Sequence, residues 1–376
     1  MASNQGKKGH QQNRRGQQES GGSTGQAADM DNRELDETEI ILIVSELYLG
    51  GLSCSEIVAW MQQHYKLKIS RRTPMKCLRL ARQRGWLKVY PPGYLKLSND
   101  IKKQYGWLEG LDVVRTPTSQ HVALRGAVVL RRLVKKHAFV NEGKRQVHIG
   151  MTGGGQMRHL ASEFVQLLCE PAEDWPEEVV IHAMVSGVRL EDPTTDPKAM
   201  FLSLCREYPD LQVKLSVVGF PGPGLVDSGQ IDVAGLKGWD EIQRVIAEAN
   251  RLDIIVTSAG NWKDDHCVYS QTMKNSHADR VKLEAAGIVG DYFYWPFNQQ
   301  GAIAAETRLS VMTLLELGHL PEFIAAGKKV LFLLGPCDEC DKPKPAILRV
   351  LLDQPEHLFT HLVVDSRSAR HAFQAA

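Results

Sequence analysis

Three groups of residues in this 376-residue chain have the types and spacing to do chemistry. The first is cationic. With "ISRRTPMKCLRLARQRGWLKV" (Ile69 to Val89) wound as a helix, Arg72, Lys76, Arg79 and Gln83 share one narrow sector, and Pro74, Cys77, Leu78 and Ala81 lie opposite. No Asp or Glu occurs between Ile57 and Asn99, although the whole chain has 45 basic and 44 acidic residues. A solvated helix face normally mixes signs, because opposite charges four residues apart stabilise it and like charges repel. A face of one sign therefore points to a polyanionic partner, and nucleic acid fits.

The second group is the loop "GMTGGGQMRHLASEF", which follows a strand-like run and opens a helix-like one. Glycines let the backbone approach a ligand, and the first amides of a helix favour an anion such as phosphate. The alternative for Gly153, Gly154 and Gly155 is a plain tight turn. A dinucleotide site is disfavoured because the spacing is not G-x-G-x-x-G and the next strand, "VVIHAMV", ends without the acid that would hold a ribose. The Lys-Ser/Thr pair of a P-loop is missing too. The third group pairs Cys337 and Cys340, a C-x-x-C, with His357 and His361. The residue types suit zinc, but the helix expected between the two pairs would hold them about 15 Å apart. Neither a metal nor a cofactor is therefore expected. Cys54, Cys77, Cys169 and Cys205 fall among apolar residues and read as small core residues in a reducing compartment.

Positioning the cationic face requires a small helical unit. "DETEIILIVSELYL" spaces Ile40, Ile43, Val44, Leu47 and Tyr48 as an apolar stripe that Gly50 and Gly51 end. Ser53 and Glu56 stand at capping-box spacing ahead of a second helix carrying Ile57, Trp60 and Met61. The basic helix comes third, opened either by Ser70 or by Thr73 with Pro74 at the first helical position. Gly85 ends it, and "WLKVYPPGYLKL" reads as two short strands around a Pro-Pro-Gly turn. Residues 35–97 are thus expected to form a winged helix-turn-helix. Ser70, Arg71 and Thr73 at the helix start, its basic face, and Lys88 on the wing would contact bases and phosphates. Residues 1–34, rich in Gly, Gln, Ser and Asn, have almost nothing to bury and are expected to be a disordered polar tail.

From 98 to 376 the pattern alternates. "RQVHIGM", "VVIHAMV", "QVKLSVV", "DIIVTSA", "KVLFLLG" and "FTHLVV" are short apolar, β-branched runs, and helical segments lie between most of them. Such alternation predicts an α/β domain with a mostly parallel sheet covered on both faces, whose ligands bind in loops at the carboxyl ends of the strands. No apolar run approaches the roughly 20 residues of a membrane span, and the N-terminus lacks a signal peptide's apolar core, so a cytoplasmic protein is expected.

These residues carry a resemblance. "LIVSELYLGGLSCSEIVAWM", the basic helix, "IGMTGGGQMRHLA", "DIIVTSAGNW", "AAGIVGDYFYWPFNQQG" and "LVVDSRSARHAF" resemble, in order and over about residues 37 to 376, the SorC/DeoR-type sugar-binding transcriptional regulators. In that family a helix-turn-helix precedes an effector domain related to ribose-phosphate isomerase and glucosamine-phosphate deaminase folds. The resemblance implies binding of a small phosphorylated sugar, with a changed grip on operator DNA in response, by a homodimer or homotetramer. It places Thr152, Gly154, Gly155 and Gln156 in the phosphate-facing loop with Gly153, Gly260 and Asn261 beside the sugar, and Asp291 in the sugar-facing loop, where the plain alternative is a turn cap. Lys342 or Lys344 of the last loop would meet the phosphate. "FNQQG" departs from the family's acidic "FDADG"-like run, with Asn298 in place of an Asp, so amides that can still hydrogen-bond hydroxyls stand where the family carries charge.

Two other functions fit the same residues. A sugar-phosphate isomerase or deaminase would need a general base and acid near the sugar, and Asp291 is one candidate. A module that binds DNA with no small effector would leave the glycine loop without a ligand.

Overall fold

A computed structural model describes residues 35–374, apart from 85, 89, 141–144, 171–174, 187–192, 209–210, 231, 233–234, 237 and 305–306. The expected polar tail lies outside the described residues. The chain divides into two compact units at Lys88 and Val89, nine residues ahead of the boundary read from the sequence.

The first unit holds three helices, α1 (Glu37–Leu49), α2 (Cys54–Tyr65) and α3 (Thr73–Gln83). Both α1 and α2 open with capping boxes, Asp36 with Glu39 and Ser53 with Glu56, which satisfy two otherwise orphaned amides at each start. The unit's core is Ile41, Val44, Ile57, Met61, Cys77 and Ala81. The stripe on α1 is rotated slightly from the one expected, so that Ile41 is buried and Tyr48 is exposed. Helix α3 begins at Thr73 with Pro74 in its first turn, and Ser70 braces that turn by donating its amide to the Thr73 hydroxyl at 3.2 Å.

The second arm of the expected wing is a helix. The described residues between 84 and 94 form no strand beyond an isolated bridge of Gly93 to Val114, and Leu95–Gln104 is α4. Alternation over the four residues "YLKL" does not distinguish a strand from a helix. The longer run does: Leu97, Ser98, Ile101 and Tyr105 follow helical spacing and face inward, and the Ser98 hydroxyl accepts the Val113 amide. These contacts place α4 with the second unit.

That unit is built on a mixed sheet whose central path is parallel, in the order β1 (Gly110–Val114), β12 (His361–Asp365), β11 (Lys329–Leu334), β6 (Ile254–Asn261), β2 (Gln146–Met151), β3 (Glu178–Ala183) and β4 (Lys214–Val218). All six strands expected from the sequence are on this path, and β1 is added at its edge. Strand β11 shows why such runs read as continuously apolar. Val330, Phe332 and Leu334 enter one core, whereas Leu331 and Leu333 enter the other, with α5 (Ser119–Val140), α6 (Gly155–Leu168) and α7 (Pro197–Glu207) covering the second face. From β2 the chain winds outward to β3 and β4, and it later returns to the opposite flank of β2 through β6 and β11. The gap between β2 and β6 is thus the topological switch point, where the two following loops diverge and leave a crevice.

No helix among the described residues is long and apolar enough to cross a membrane.

Candidate functional site

At the carboxyl ends of β2, β6 and β11 one cavity gathers Thr152, Gly153, Gly154, Gly155, Gln156, Gly260, Asn261, Asp291 and Lys344. Residues chosen from four separate stretches of sequence thus meet in one place. Lys342 is the exception: it is exposed and absent from the lining. Its carbonyl accepts the Cys337 amide at 2.9 Å, closing a turn that carries its side chain elsewhere.

The glycine loop is shaped by its neighbours. Gly153 donates its amide to the Tyr294 hydroxyl at 3.2 Å, and Gly154, in a left-handed conformation at φ 109°, donates to the Thr195 carbonyl at 3.0 Å. Two of the loop's amides are therefore already engaged, and the first-turn amides of α6, from Gly155 onward, have neither an intrahelical acceptor nor a side-chain cap. Thr152 is buried with its hydroxyl 3.3 Å from that of Thr257. Gln156 acts as a latch, donating to the Ser119 carbonyl at 3.0 Å.

The opposite wall is an antiparallel extension of β6. Strand β7 (Gly290–Tyr292) pairs Asp291 with Gly260, and a Cβ at 260 would overlap the Asp291 carboxylate. Strand β8 (Trp295–Asn298) follows through a two-residue turn in which Phe293 and Tyr294 both have positive φ, at 57° and 63°. Bulky residues adopt this conformation at a cost on the order of 1–3 kcal/mol each, tolerated where the surroundings impose it. Here the turn delivers the Tyr294 hydroxyl to the glycine loop. Burial raises the Asp291 carboxyl to about 6, against the pull of the Cys267 thiol, 3.4 Å away, and of Lys344. The Lys344 ammonium donates to the Ala259 carbonyl at 3.0 Å.

Several lining residues were not singled out from the sequence. Asp338, in the turn after β11, stands beside Gly155 at the start of α6. Its carboxylate accepts from Ser119, His159 and Arg158, and these donors, His159 foremost, hold it well below the usual carboxylate range. An anion is thus already built into the place where a helix N-terminus favours one, so a phosphate there competes with it. Asp264 and His266, from the turn after β6, also reach the cavity, beside Cys337.

His357 and His361 do not accompany the cysteines. His357 stacks on Trp107 at 4.1 Å, and His361 opens β12. Since β11 and β12 are parallel and His361 pairs with Leu331, it lies toward the end of the sheet away from Cys337. Cys77 is buried as expected, whereas Cys54, Cys169 and Cys205 are only half-buried.

On the first unit, Arg71, Arg72, Lys76 and Arg79 are exposed along with Ser70, whereas Thr73 and Lys88 are half-buried. Pro74, Cys77 and Ala81 are buried on the other side of α3. Arg84, in contrast, pairs with Glu37 of α1 at 3.1 Å.

Buried titratable groups give the fold a signed pH dependence. Burial holds His182 and His361 down from 6.5 to about 4, so between these values the unfolded chain takes up protons that the folded one refuses. Stability should fall as pH drops from 6.5 to 4. Asp291 works in the opposite direction, since its folded carboxyl protonates near 6 and the unfolded one near 3.8. Asp365, whose carboxyl burial also raises, adds to the Asp291 side, but the two histidines outweigh the pair. A denaturant midpoint that decreases over this window, more steeply in Asp291→Asn, is the expected result, and a level midpoint would show that the histidines charge within the fold.

No family model and no curated protein matches the chain. Solved structures do. The full-length sorbitol operon regulator SorC from Klebsiella pneumoniae matches at a TM-score of 0.59 and 16% identity, over 90% of this chain and 99% of its own. A probable sor operon regulator from Shigella flexneri gives 0.55 at 17% identity, covering 74% of this chain and 98% of its own. A DeoR family transcriptional regulator from Listeria monocytogenes gives 0.54 at 18% identity, covering 74% and 99%. The chain has the fold of these SorC- and DeoR-type regulator structures, and the resemblance read from its motifs holds at the level of the fold.

Proposed function

We propose that the chain is a DNA-binding transcriptional regulator whose operator affinity is set by a small phosphorylated sugar, or a related anionic metabolite, bound in the cavity beside the glycine loop. The convergence of Thr152, Gly153, Gly154, Gly155, Gln156, Gly260, Asn261, Asp291 and Lys344 on one crevice at the sheet's switch point carries this reading. In it, the first unit supplies the DNA-binding domain, a helix-turn-helix whose third helix enters the major groove, and the second unit, α4 included, supplies the isomerase-like effector domain. Lys76 and Arg79 contact DNA from α3, with Ser70, Arg71, Arg72 and Thr73 at its start, while Lys88 extends from the segment expected to be the wing. Loop amides and Lys344 hold the phosphate, and Asn261 and Asp291 orient sugar hydroxyls.

One such unit offers little surface for operator-level specificity, and two-fold assemblies read repeated half-sites, so a homodimer or homotetramer is part of the proposal. The test is selection of bound sequences from random DNA, followed by light scattering on the complex. Enrichment of a two-fold repeated site by an oligomer is expected. A monomer with no sequence preference would defeat the reading.

A second reading, a sugar-phosphate isomerase or deaminase, gains from one observation: Asp291, held near 6, shares its cavity with His266, so a carboxyl and an imidazole line the same crevice. Turnover of sugar phosphates by the full chain would establish it.

A further inference from the structure

Asp264, His266, Cys337 and Cys340 each bring a potential metal-ligand atom to within 4.8 Å of the other three. The four come as two short pairs, D-x-H after β6 and C-x-x-C after β11. Strands β6 and β11 are parallel neighbours, with Val256 beside Leu331 and Ser258 beside Leu333, so the two turns leave the sheet side by side at the same end. We propose that these residues form a binding site for a thiophilic divalent cation of the zinc class, which ties the turn after β6 to the turn after β11 at the rim of the cavity. The proposal does not rest on the regulatory reading.

The separations fit a tetrahedron. With bonds of roughly 2.0 Å to nitrogen or oxygen and roughly 2.3 Å to sulfur, the edges of a tetrahedral zinc site measure about 3.3–3.8 Å. His266 Nδ1 lies 3.2 Å from Asp264 Oδ1, Cys340 Sγ lies 3.6 Å from the same oxygen, and Cys337 Sγ lies 3.7 Å from His266 Nδ1. The cysteine turn is a tight knuckle. The Asp341 amide donates to the Cys337 carbonyl at 3.0 Å with Asp341 left-handed at φ 54°, and the amides of Glu339 and Cys340 face the Cys337 sulfur. Asp264 is only 3% exposed and Cys337 only 6%, so two of the four ligands are held away from solvent. Two sulfurs, an imidazole and one carboxylate select a soft or borderline ion over magnesium or calcium, and four protein ligands make a closed site suited to holding loops in place.

The experiment uses the full chain, purified under reductant without added metal, and titrates it with zinc against a chromophoric chelator and with cobalt as an optical probe. Expected are one equivalent of zinc per chain and, with cobalt, a thiolate-to-metal charge-transfer band together with tetrahedral d–d bands. His266→Ala and Cys340→Ser should weaken zinc binding by more than about tenfold, a loss that even outer-shell partners of a metal can cause. Cys205→Ser, far along the sequence on α7, should leave it unchanged. The His266 side chain is 43% exposed, so its replacement disturbs little packing and carries the test if a cysteine variant misfolds. Absence of stoichiometric zinc, a cobalt spectrum without the thiolate band, or unchanged affinity in both variants overturns the proposal.

Discussion

Replacing Arg72, Lys76 and Arg79 together by alanine is expected to abolish operator binding while leaving the protein folded. Each neutralised phosphate contact contributes roughly one unit to the slope of log affinity against log salt, so the residual binding should lose about three units of slope. The same three side chains are exposed and, among the described residues, make no ion pair, so the loss of each should change stability by no more than about 0.5 kcal/mol. Arg84→Ala is the control. It breaks the exposed pair with Glu37, worth at most about 1 kcal/mol, without touching the face carried by the other three. Equal DNA affinity in the parent and the triple variant, at matched salt, would remove α3 from the interface.

How far the fold was legible in the sequence depended on burial. Strands such as β11 and β12 lie inside the sheet with both faces covered, and their unbroken apolar runs could be read directly. Strand β1 escaped notice because an edge strand of five residues can carry a charge, and Asp112 indeed pairs with Arg125 of α5 at 3.0 Å. The β7–β8 hairpin turns on Phe293 and Tyr294, which offer none of the Gly or Asn signals by which left-handed turns are usually recognised. In the cavity, the glycine loop and Asp291 were legible through their motifs, whereas Asp338 and Tyr294 were not, since what they do depends on which loops the sheet order brings together. The cysteines illustrate the same point. Sequence proximity offered only His357 and His361 beside the cysteines, a pairing that the length of the intervening helix argued against, whereas strand order brings Asp264 and His266 to them from a turn about seventy residues upstream.

Asp291→Asn is expected to make the free protein more stable at pH 7 and, at the same time, nearly blind to its effector. The two effects have opposite signs for one physical reason. Burial raises the Asp291 carboxyl from 3.8 to about 6, so at pH 7 the fold keeps it charged at a cost of up to about 3 kcal/mol, which an amide would not incur. A carboxylate maintained at such a cost, with Gly260 cut back to make room for it and Lys344 in the same cavity, is suited to accepting hydrogen bonds from hydroxyl groups of a ligand. A sugar phosphate at a hundredfold excess over its Kd should add about 2.7 kcal/mol to the folded state of the parent, read as a rise in Tm, and the unphosphorylated sugar should add far less. In Asp291→Asn and Thr152→Ala that rise should largely vanish. Asp338→Asn should enlarge it, because it removes the anion standing where the phosphate would approach the start of α6. For the ligand to act as a signal, it must also bind the DNA-competent and DNA-incompetent states unequally, so the same panel of sugar phosphates should shift operator affinity in the parent and fail to do so in Asp291→Asn. Stabilisation that survives both Asp291→Asn and Thr152→Ala would place the ligand outside this cavity, and a more stable Asp291→Asn variant that responds as fully as the parent would reduce Asp291 to a strained structural residue.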